Sequence, residues 1–545
     1  MDGAESIART LTACRVDTCF SNPGTTEIHI VAALDAVAGL RGVLCLFEGT
    51  ATGAADGYGR MRGQPAAALL HLGPGLANGL ANLHNARRAR TPVVTIVGDH
   101  ATHHKRLDAP LESDIDSLAR PVSAWLRRSA RSADAGADTA DAVAAALGPP
   151  GGVATLIVPA DVSWSGGGQP AAPPVPRPPA QVADGVIEAA AAALRSGEPT
   201  VLLLGGGALR RAGLVAAARL AEGTGARLLG ETFPARLERG AGLPPLDRLA
   251  YPPEFAAAQL ARTRHLILAG AAAPVSFFAY PDLPGSLVPP GCQVHVLARP
   301  GDDAPAALEA LAGLAAPQSR PRLQPPQRPE LPGGELTAEN AAAVIGALLP
   351  EGTIVSDEAN TSGLWLPGAT AGAPPHDWLT LTGGAIGQGL PLATGAAIAC
   401  PDRPVLALES DGSAMYTMSA LWTQAREQLN VTTVIFSNRC YAILGMELRR
   451  AMAAGPGDGP GGPGAEPAGE AGAPGAGPPA VIGPGAAALG MLDLSRPDLD
   501  FTALAAGLGV PATRARTADE LAAALRTALA EPGPHLIEAQ IPPVA

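Results

Sequence analysis

The sequence predicts an α/β protein of three Rossmann-like, doubly wound parallel-sheet domains, and three observations carry that expectation. Short apolar runs alternate with stretches whose apolar residues recur at helical spacing, the pattern of strand–helix–strand units in a parallel sheet. The alternation starts afresh three times, across two Pro- and Gly-rich stretches at residues 166–179 and 316–332. The 545 residues also exceed one hydrophobic core, since cores stop growing at about 250–300 residues.

In the first domain, residues 1–165, strands are expected at 16–20, 43–47, 66–70 and 93–97, with helices at 26–37, 50–61 and 76–88. The second, 182–315, opens with a strand at 201–204 that runs into Gly205-Gly206-Gly207, and has later strands at 265–268 and 293–297. That glycine run lacks the spacing and the following acid of a nicotinamide-binding turn. The third, 336–545, has strands at 353–356, 405–408 and 433–436. An insertion at 455–485 is almost entirely Gly, Pro, Ala and acidic residues. Such a segment cannot bury enough apolar surface to order itself, so a mobile insertion is expected.

Net charge is −12 and the basic residues are scattered, which disfavours nucleic acid as a partner. No apolar run is long enough to span a membrane, and the start at Met1 lacks the pattern of a signal peptide. The six cysteines show neither CxxC pairs nor clustered ligand spacing, as expected of free thiols in a cytoplasmic protein.

The chemistry is concentrated where strands end. Residues 406–409 form an apolar strand that runs into Ser410-Asp411-Gly412-Ser413, then a helical pattern. Ligands of open α/β sheets bind beyond the carboxyl ends of strands, and the N–H groups of a helix start suit a phosphate. The next strand ends in Ser437-Asn438-Arg439-Cys440-Tyr441, so one crossover places Asp411 and Asn438 at neighbouring strand ends. A carboxylate and an amide oxygen there are hard ligands for Mg²⁺. Taken alone, the same residues read more readily as a turn and a helix cap.

This stretch resembles the metal–diphosphate motif of thiamine diphosphate-dependent enzymes. The wording of 411–422, Asp-Gly-Ser-Ala-Met-Tyr-Thr-Met-Ser-Ala-Leu-Trp, is similar to benzoylformate decarboxylases. Over its whole length the chain is similar to acetolactate synthase large-subunit homologues, with pyrimidine-binding, central and diphosphate-binding domains in that order. Ser410 and Ser437 stand where the family motif has Gly and Asn. The resemblance implies thiamine diphosphate and Mg²⁺ as cofactors. It implies Asp411, Asn438 and the backbone carbonyl of Cys440 as metal ligands, with Gly412, Ser413 and Tyr441 among the cofactor-binding residues.

Further positions follow from the same resemblance. Glu48 matches the glutamate that bonds N1′ of the aminopyrimidine and thereby promotes loss of the thiazolium C2 proton. In Thr382-Gly383-Gly384-Ala385-Ile386-Gly387, Ile386 matches the apolar wedge that bends the cofactor, and Gly384 the carbonyl facing its amino group. Thr25 and His71 match substrate-side positions of benzoylformate decarboxylases, although His71 also reads as a structural histidine. His103-His104 is similar to the histidine pair of pyruvate decarboxylases but reads more readily as a solvated loop. Ile443, Leu444 and Glu447 either line the pocket or pack as an ordinary helix. The implied activity is decarboxylation of a 2-oxo acid, then carboligation to a second carbonyl. Release of an aldehyde is the alternative, and a degenerate scaffold is a remote one that Glu48, Asp411 and Asn438 argue against. The FAD of acetolactate synthases proper finds no matching pattern here. A homodimer or homotetramer with sites between subunits is expected.

Overall fold

Apolar runs closed by turn residues become the strands of three sheets in the computed structural model, which describes residues 1–280, 283–453 and 484–543. The predicted insertion lies almost wholly outside the described residues. The first sheet contains β1 (Thr18–Ser21), β2 (Arg41–Leu44), β3 (Ala66–His71), β4 (Val93–Asp99), β5 (Trp125–Arg128) and β6 (Val153–Pro159). They are parallel throughout, in the order β2-β1-β3-β4-β6-β5. β4 and β6 are buried along their whole length, as strands with both faces covered should be.

The chain continues through β7 (Thr200–Leu204), β8 (Arg227–Gly230), β9 (Leu237–Arg239), β10 (Asp247–Arg248), β11 (His265–Ala269) and β12 (Gln293–Ala298). All but β9 form the second sheet, in the order β10-β8-β7-β11-β12. The third sheet is built from β13 (Ile354–Glu358), β14 (His376–Thr380), β15 (Val405–Ser410), β16 (Val431–Ser437), β17 (Ala512–Ala515) and β18 (His535–Gln540). Its order is β17-β18-β16-β15-β13-β14-β9.

Two features depart from the sequence expectation. β9 falls inside the span assigned to the second domain, yet it pairs antiparallel with β14. It covers what would otherwise be an open edge, and Arg236 beside it ion-pairs with Asp377 of β14. The strand expected at 43–47 ends at Leu44, opposite Ser21, the last residue of β1. With no ladder partner left, the chain turns, and Glu48 opens the helix Glu48–Arg62 instead of closing the strand.

That helix joins the first and third domains by packing against the helix Gly389–Ala399. A Cβ on Gly57 would collide with the Leu392 carbonyl, and one on Gly395 with the Ala54 carbonyl, so the two backbones touch. Asp56 and Arg60 lie fully buried in this seam, as an ion pair at 2.7 Å. Arg60 also donates to the Thr380 carbonyl, and Gln388 to Asp56, each at 2.8 Å. Among the described residues no helix is long and apolar enough to cross a membrane.

Candidate active site

In the third sheet β14 lies on one side of β13 and β15 on the other, so the chain direction switches between β13 and β15. The crevice outside such a switch point is where open α/β sheets bind ligands. Asn360, just beyond β13, donates to Ser410 Oγ at 2.6 Å and to Ser413 Oγ at 3.2 Å across that crevice. Asp411 is the next residue, and its carboxylate is nearly inaccessible to solvent. Its Oδ1 accepts from Gly412 N at 2.8 Å and its Oδ2 from Arg439 N at 2.6 Å. Burial nonetheless pushes the Asp411 carboxyl up to about 6.

Asn438 is buried on the adjoining strand end, and its Oδ1 accepts from Cys440 N at 3.0 Å. The 439–441 turn is fixed from outside by residues 492–494. Tyr441 N donates to the Leu492 carbonyl, and Leu494 N to the Arg439 carbonyl, both at 2.9 Å. The Tyr441 ring lies over Gly412 so closely that a Cβ there would clash with it.

The segment 382–389 crosses in front of this turn. Gly384 and Gly387 both have positive φ, at 73° and 90°, a conformation that suits glycine. The segment is held by the helix Leu72–Ala89 of the first domain. Asn82 donates to the Gly387 carbonyl at 3.2 Å, Asn85 to the Ala385 carbonyl at 2.8 Å, and His84 Nε2 meets the Gly383 carbonyl at 3.1 Å. From below, Glu358 accepts from Gly387 N at 2.7 Å and from Gly389 N at 2.5 Å. The half-buried Ile386 is thus presented on a loop gripped at both ends.

The first domain carries a second cluster at its own switch point, between β1 and β3. Glu27 is fully buried and binds His71 Nδ1 at 2.8 Å, while Thr26 Oγ1 lies 3.2 Å from the same nitrogen. Thr26 supplies the hydroxyl at His71, and Thr25 is exposed one residue before it. Glu48 is buried at its helix start and accepts from Asn78 Nδ2 at 2.9 Å. Gly75 keeps space beside it, since a Cβ there would stand 3.1 Å from Glu48 Oε1. His104 lies in the loop after β4, its ring 5.4 Å from that of His100. Ile443 and Leu444 sit in the helix Ala442–Ala453, with Leu444 exposed.

Comparison with known proteins follows the same division. Residues 1–119 match the N-terminal TPP binding domain of thiamine pyrophosphate enzymes, and residues 361–539 match the C-terminal TPP binding domain. A Mycobacterium tuberculosis protein provisionally named acetolactate synthase large subunit IlvX is 58% identical over 99% of both chains. The chain belongs to the thiamine pyrophosphate-dependent enzyme family. Benzoylformate decarboxylase of Pseudomonas aeruginosa is 30% identical, covering 96% of this chain and 95% of its own. A solved structure of a Rhodococcus jostii thiamine diphosphate-dependent 4-hydroxybenzoylformate decarboxylase shares the fold, with a TM-score of 0.81, 24% identity and 99% coverage of both chains.

The residues present fit the family's cofactor. A buried carboxyl raised by desolvation, Asp411, stands at the strand end with the amide side chain of Asn438 on the next strand, the hard-oxygen donors that a metal-bound diphosphate needs. Among the described residues no three His, Cys, Asp or Glu side chains cluster as a metal site. A hard-oxygen set of one carboxylate, one amide oxygen and one backbone carbonyl contains only one such residue, so the two facts agree. A separate cavity of about 330 Å³ lies between the first and second domains, with Arg60, Arg90, Arg210 and Arg236 in its lining. None of the predicted site residues lines it.

Four contributors were missed in the sequence: Glu27, Asn78, Glu358 and Glu409. Glu358 and Glu409 carried a signal, as acids beside apolar strand residues. Burial raises both carboxyls, and neither Glu409 oxygen has a hydrogen bond from a donor among the described residues.

Proposed function

We propose that this family member decarboxylates a 2-oxo acid with thiamine diphosphate and Mg²⁺ and joins the product to a second carbonyl compound. The observation that carries the reading is the paired arrangement of the buried carboxylate Asp411 with Asn438 on one side and the buried Glu48 on the other, within TPP-domain matches at both ends of the chain. The 58% identical relative named as an acetolactate synthase subunit supports the ligation step.

Asp411, Asn438 and the Cys440 carbonyl would hold the metal, and the N–H groups opening the helix at Asp411–Ala414 would receive diphosphate oxygens. Bound thiamine diphosphate supplies a carbon nucleophile and an electron sink for the pair released with CO₂. Glu48, oriented by Asn78, would hold a proton against the pyrimidine N1′. Glu358 fixes the 382–389 loop by two N–H bonds, and so sets where Ile386 and the Gly384 carbonyl stand. No flavin enters this reading.

A second reading, simple release of an aldehyde, is favoured by one feature. His71 is oriented through Nδ1 by the buried Glu27, which leaves Nε2 free of hydrogen bonds among the described residues as a proton donor. Product analysis by NMR after incubation with pyruvate and with benzoylformate separates the two. Acetolactate-type products support ligation, aldehydes alone support release, and neither from a cofactor-loaded protein overturns both.

A further inference from the structure

Aromatic residues are scarce in this chain, at 8 Phe, 5 Tyr and 5 Trp, yet three of the Phe and four of the Tyr gather around the candidate site. The Phe277 ring sits against Gly384, where an added Cβ would lie 2.6 Å from Phe277 Cζ. Phe277 packs in turn on Phe233, Tyr251 and Phe278, with ring centroids 5.7, 5.2 and 5.0 Å away. Tyr416 lies against Gly387, and Tyr441 against Gly412.

Besides β9, the second domain thereby reaches the third at two further points. Phe278 packs on Phe277, and Phe277, on the segment that follows β11, touches the 382–389 loop at Gly384. Three residues on, Tyr280 Oη donates to Glu447 Oε1 at 3.1 Å, and the Arg450 guanidinium lies 4.2 Å over the Tyr280 ring. Arg450 also ion-pairs with Glu254. The helix Ala442–Ala453, which carries Ile443 and Leu444, is therefore clamped to the aromatic segment. Phe277 is 42% exposed and Phe278 55% exposed, although rings of this size normally bury most of their surface. A backed, rigid, partly uncovered aromatic face beside Gly384 is built to receive another flat apolar group.

We propose that Phe277 and Phe278 form the specificity-determining wall of the active site, and that the donor is a 2-oxo acid with an aromatic side chain. This rests on the thiamine diphosphate reading above. An aryl group against Phe277 gains an edge or offset ring contact that a methyl group cannot make, and such contacts are worth about tenfold in affinity beyond the area buried. The chain supplies no basic side chain in the 276–280 segment, so the wall selects by shape and apolarity, and the carboxylate is received elsewhere.

The test uses the full chain loaded with thiamine diphosphate and Mg²⁺, titrated calorimetrically with mandelate and with lactate. These 2-hydroxy acids keep the carboxylate and side chain of benzoylformate and pyruvate but lack the electrophilic carbonyl, so binding is read without turnover. Mandelate is expected to bind at least tenfold more tightly than lactate. Phe277→Ala should remove most of that preference while leaving the dissociation constants of lactate and thiamine diphosphate within about twofold. Phe278→Ala, at the more exposed position, gives the same reading should Phe277→Ala not fold. Equal affinities in the wild-type protein, or an unchanged ratio in a folded variant, overturn the proposal. Failure of thiamine diphosphate itself to bind overturns the functional reading as well, whereas cofactor binding without an aryl preference sinks this inference alone.

Discussion

Glu358 and Glu409 stand directly opposite each other in register on β13 and β15, two buried carboxyls on neighbouring strands of one sheet. Two like charges cannot both ionise cheaply in such a place, so the pair retains a proton. Glu358 nevertheless holds the 382–389 loop through Gly387 N and Gly389 N, which Glu409 does not.

This pair fixes a pH dependence of stability. Desolvation pushes Glu358 up to about 7, above its value in an unfolded chain. The folded state then binds more protons than the unfolded state between about pH 4.5 and 7, and stability falls as pH rises through that window. Glu409→Gln removes the neighbouring acid, so its melting temperature should exceed that of the wild type at pH 8 by more than at pH 5. A parallel pH profile in the two proteins, followed by calorimetric melting, would count against a shared proton.

Most of the strands were legible in the sequence because they are buried on both faces and read as continuous apolar runs. β9 was not, since Leu237-Glu238-Arg239 has no apolar alternation and its edge position is decided by β14. Asp411 and Asn438 could be placed together from one crossover length, whereas Glu27 and His71 meet only because β1 and β3 are neighbours. The contact of Thr26 Oγ1 with His71 is likewise set by the turn before Glu27 and carries no mark in the sequence. Phe277 carries no periodic signal at all, because it lies on a loop.

Asp411→Ala should abolish retention of thiamine diphosphate in the presence of Mg²⁺, by about 10²-fold or more in dissociation constant. Removing a ligand of a hard cation leaves the remaining set too weak to bridge diphosphate oxygens. The melting temperature of the cofactor-free protein should change little, because the lost carboxylate was itself poorly solvated. Equilibrium dialysis shows whether the variant still binds; wild-type affinity would remove Asp411 from the metal site.

Asp56→Ala should be the most damaging single change among these positions. Arg60 is 1% exposed and bonds Asp56 through Nε and Nη2, at 2.9 and 2.7 Å. Leaving that charge buried without its partner costs about 3–5 kcal/mol. Thr91 and Gln388 lose their acceptor as well. Urea unfolding should show a loss of unfolding free energy of that size, and a change under about 1 kcal/mol would mean that the seam relaxes around the vacancy.

Among the described residues the Glu48 and Asp411 clusters do not bond directly to each other, and exposed apolar side chains surround the second: Leu364, Tyr416 and Leu444. Apolar groups of this size left in contact with water mark a surface that another subunit covers. An oligomer is therefore expected at assay concentrations in sedimentation velocity, with Tyr416→Arg shifting it toward monomer and lowering activity in step. An active monomer would contradict a site shared between subunits.

Glu48→Gln tests the chemistry most directly. The amide keeps the shape and the contact with Asn78 but can no longer hold a proton against the pyrimidine N1′. Cofactor affinity should stay within a fewfold, because metal and diphosphate contacts dominate it. Exchange of the C2 proton of bound thiamine diphosphate for deuterium, quenched in acid and read by NMR, should slow by about 10²–10⁴-fold, the usual size of a general acid–base contribution. This readout needs no substrate and is independent of whether the product is ligated or released. Asn78→Ala should give a smaller effect in the same direction, since it frees the Glu48 carboxylate to rotate without removing it. Wild-type exchange in the Gln variant would make Glu48 an ordinary helix-start residue and place the activating acid elsewhere.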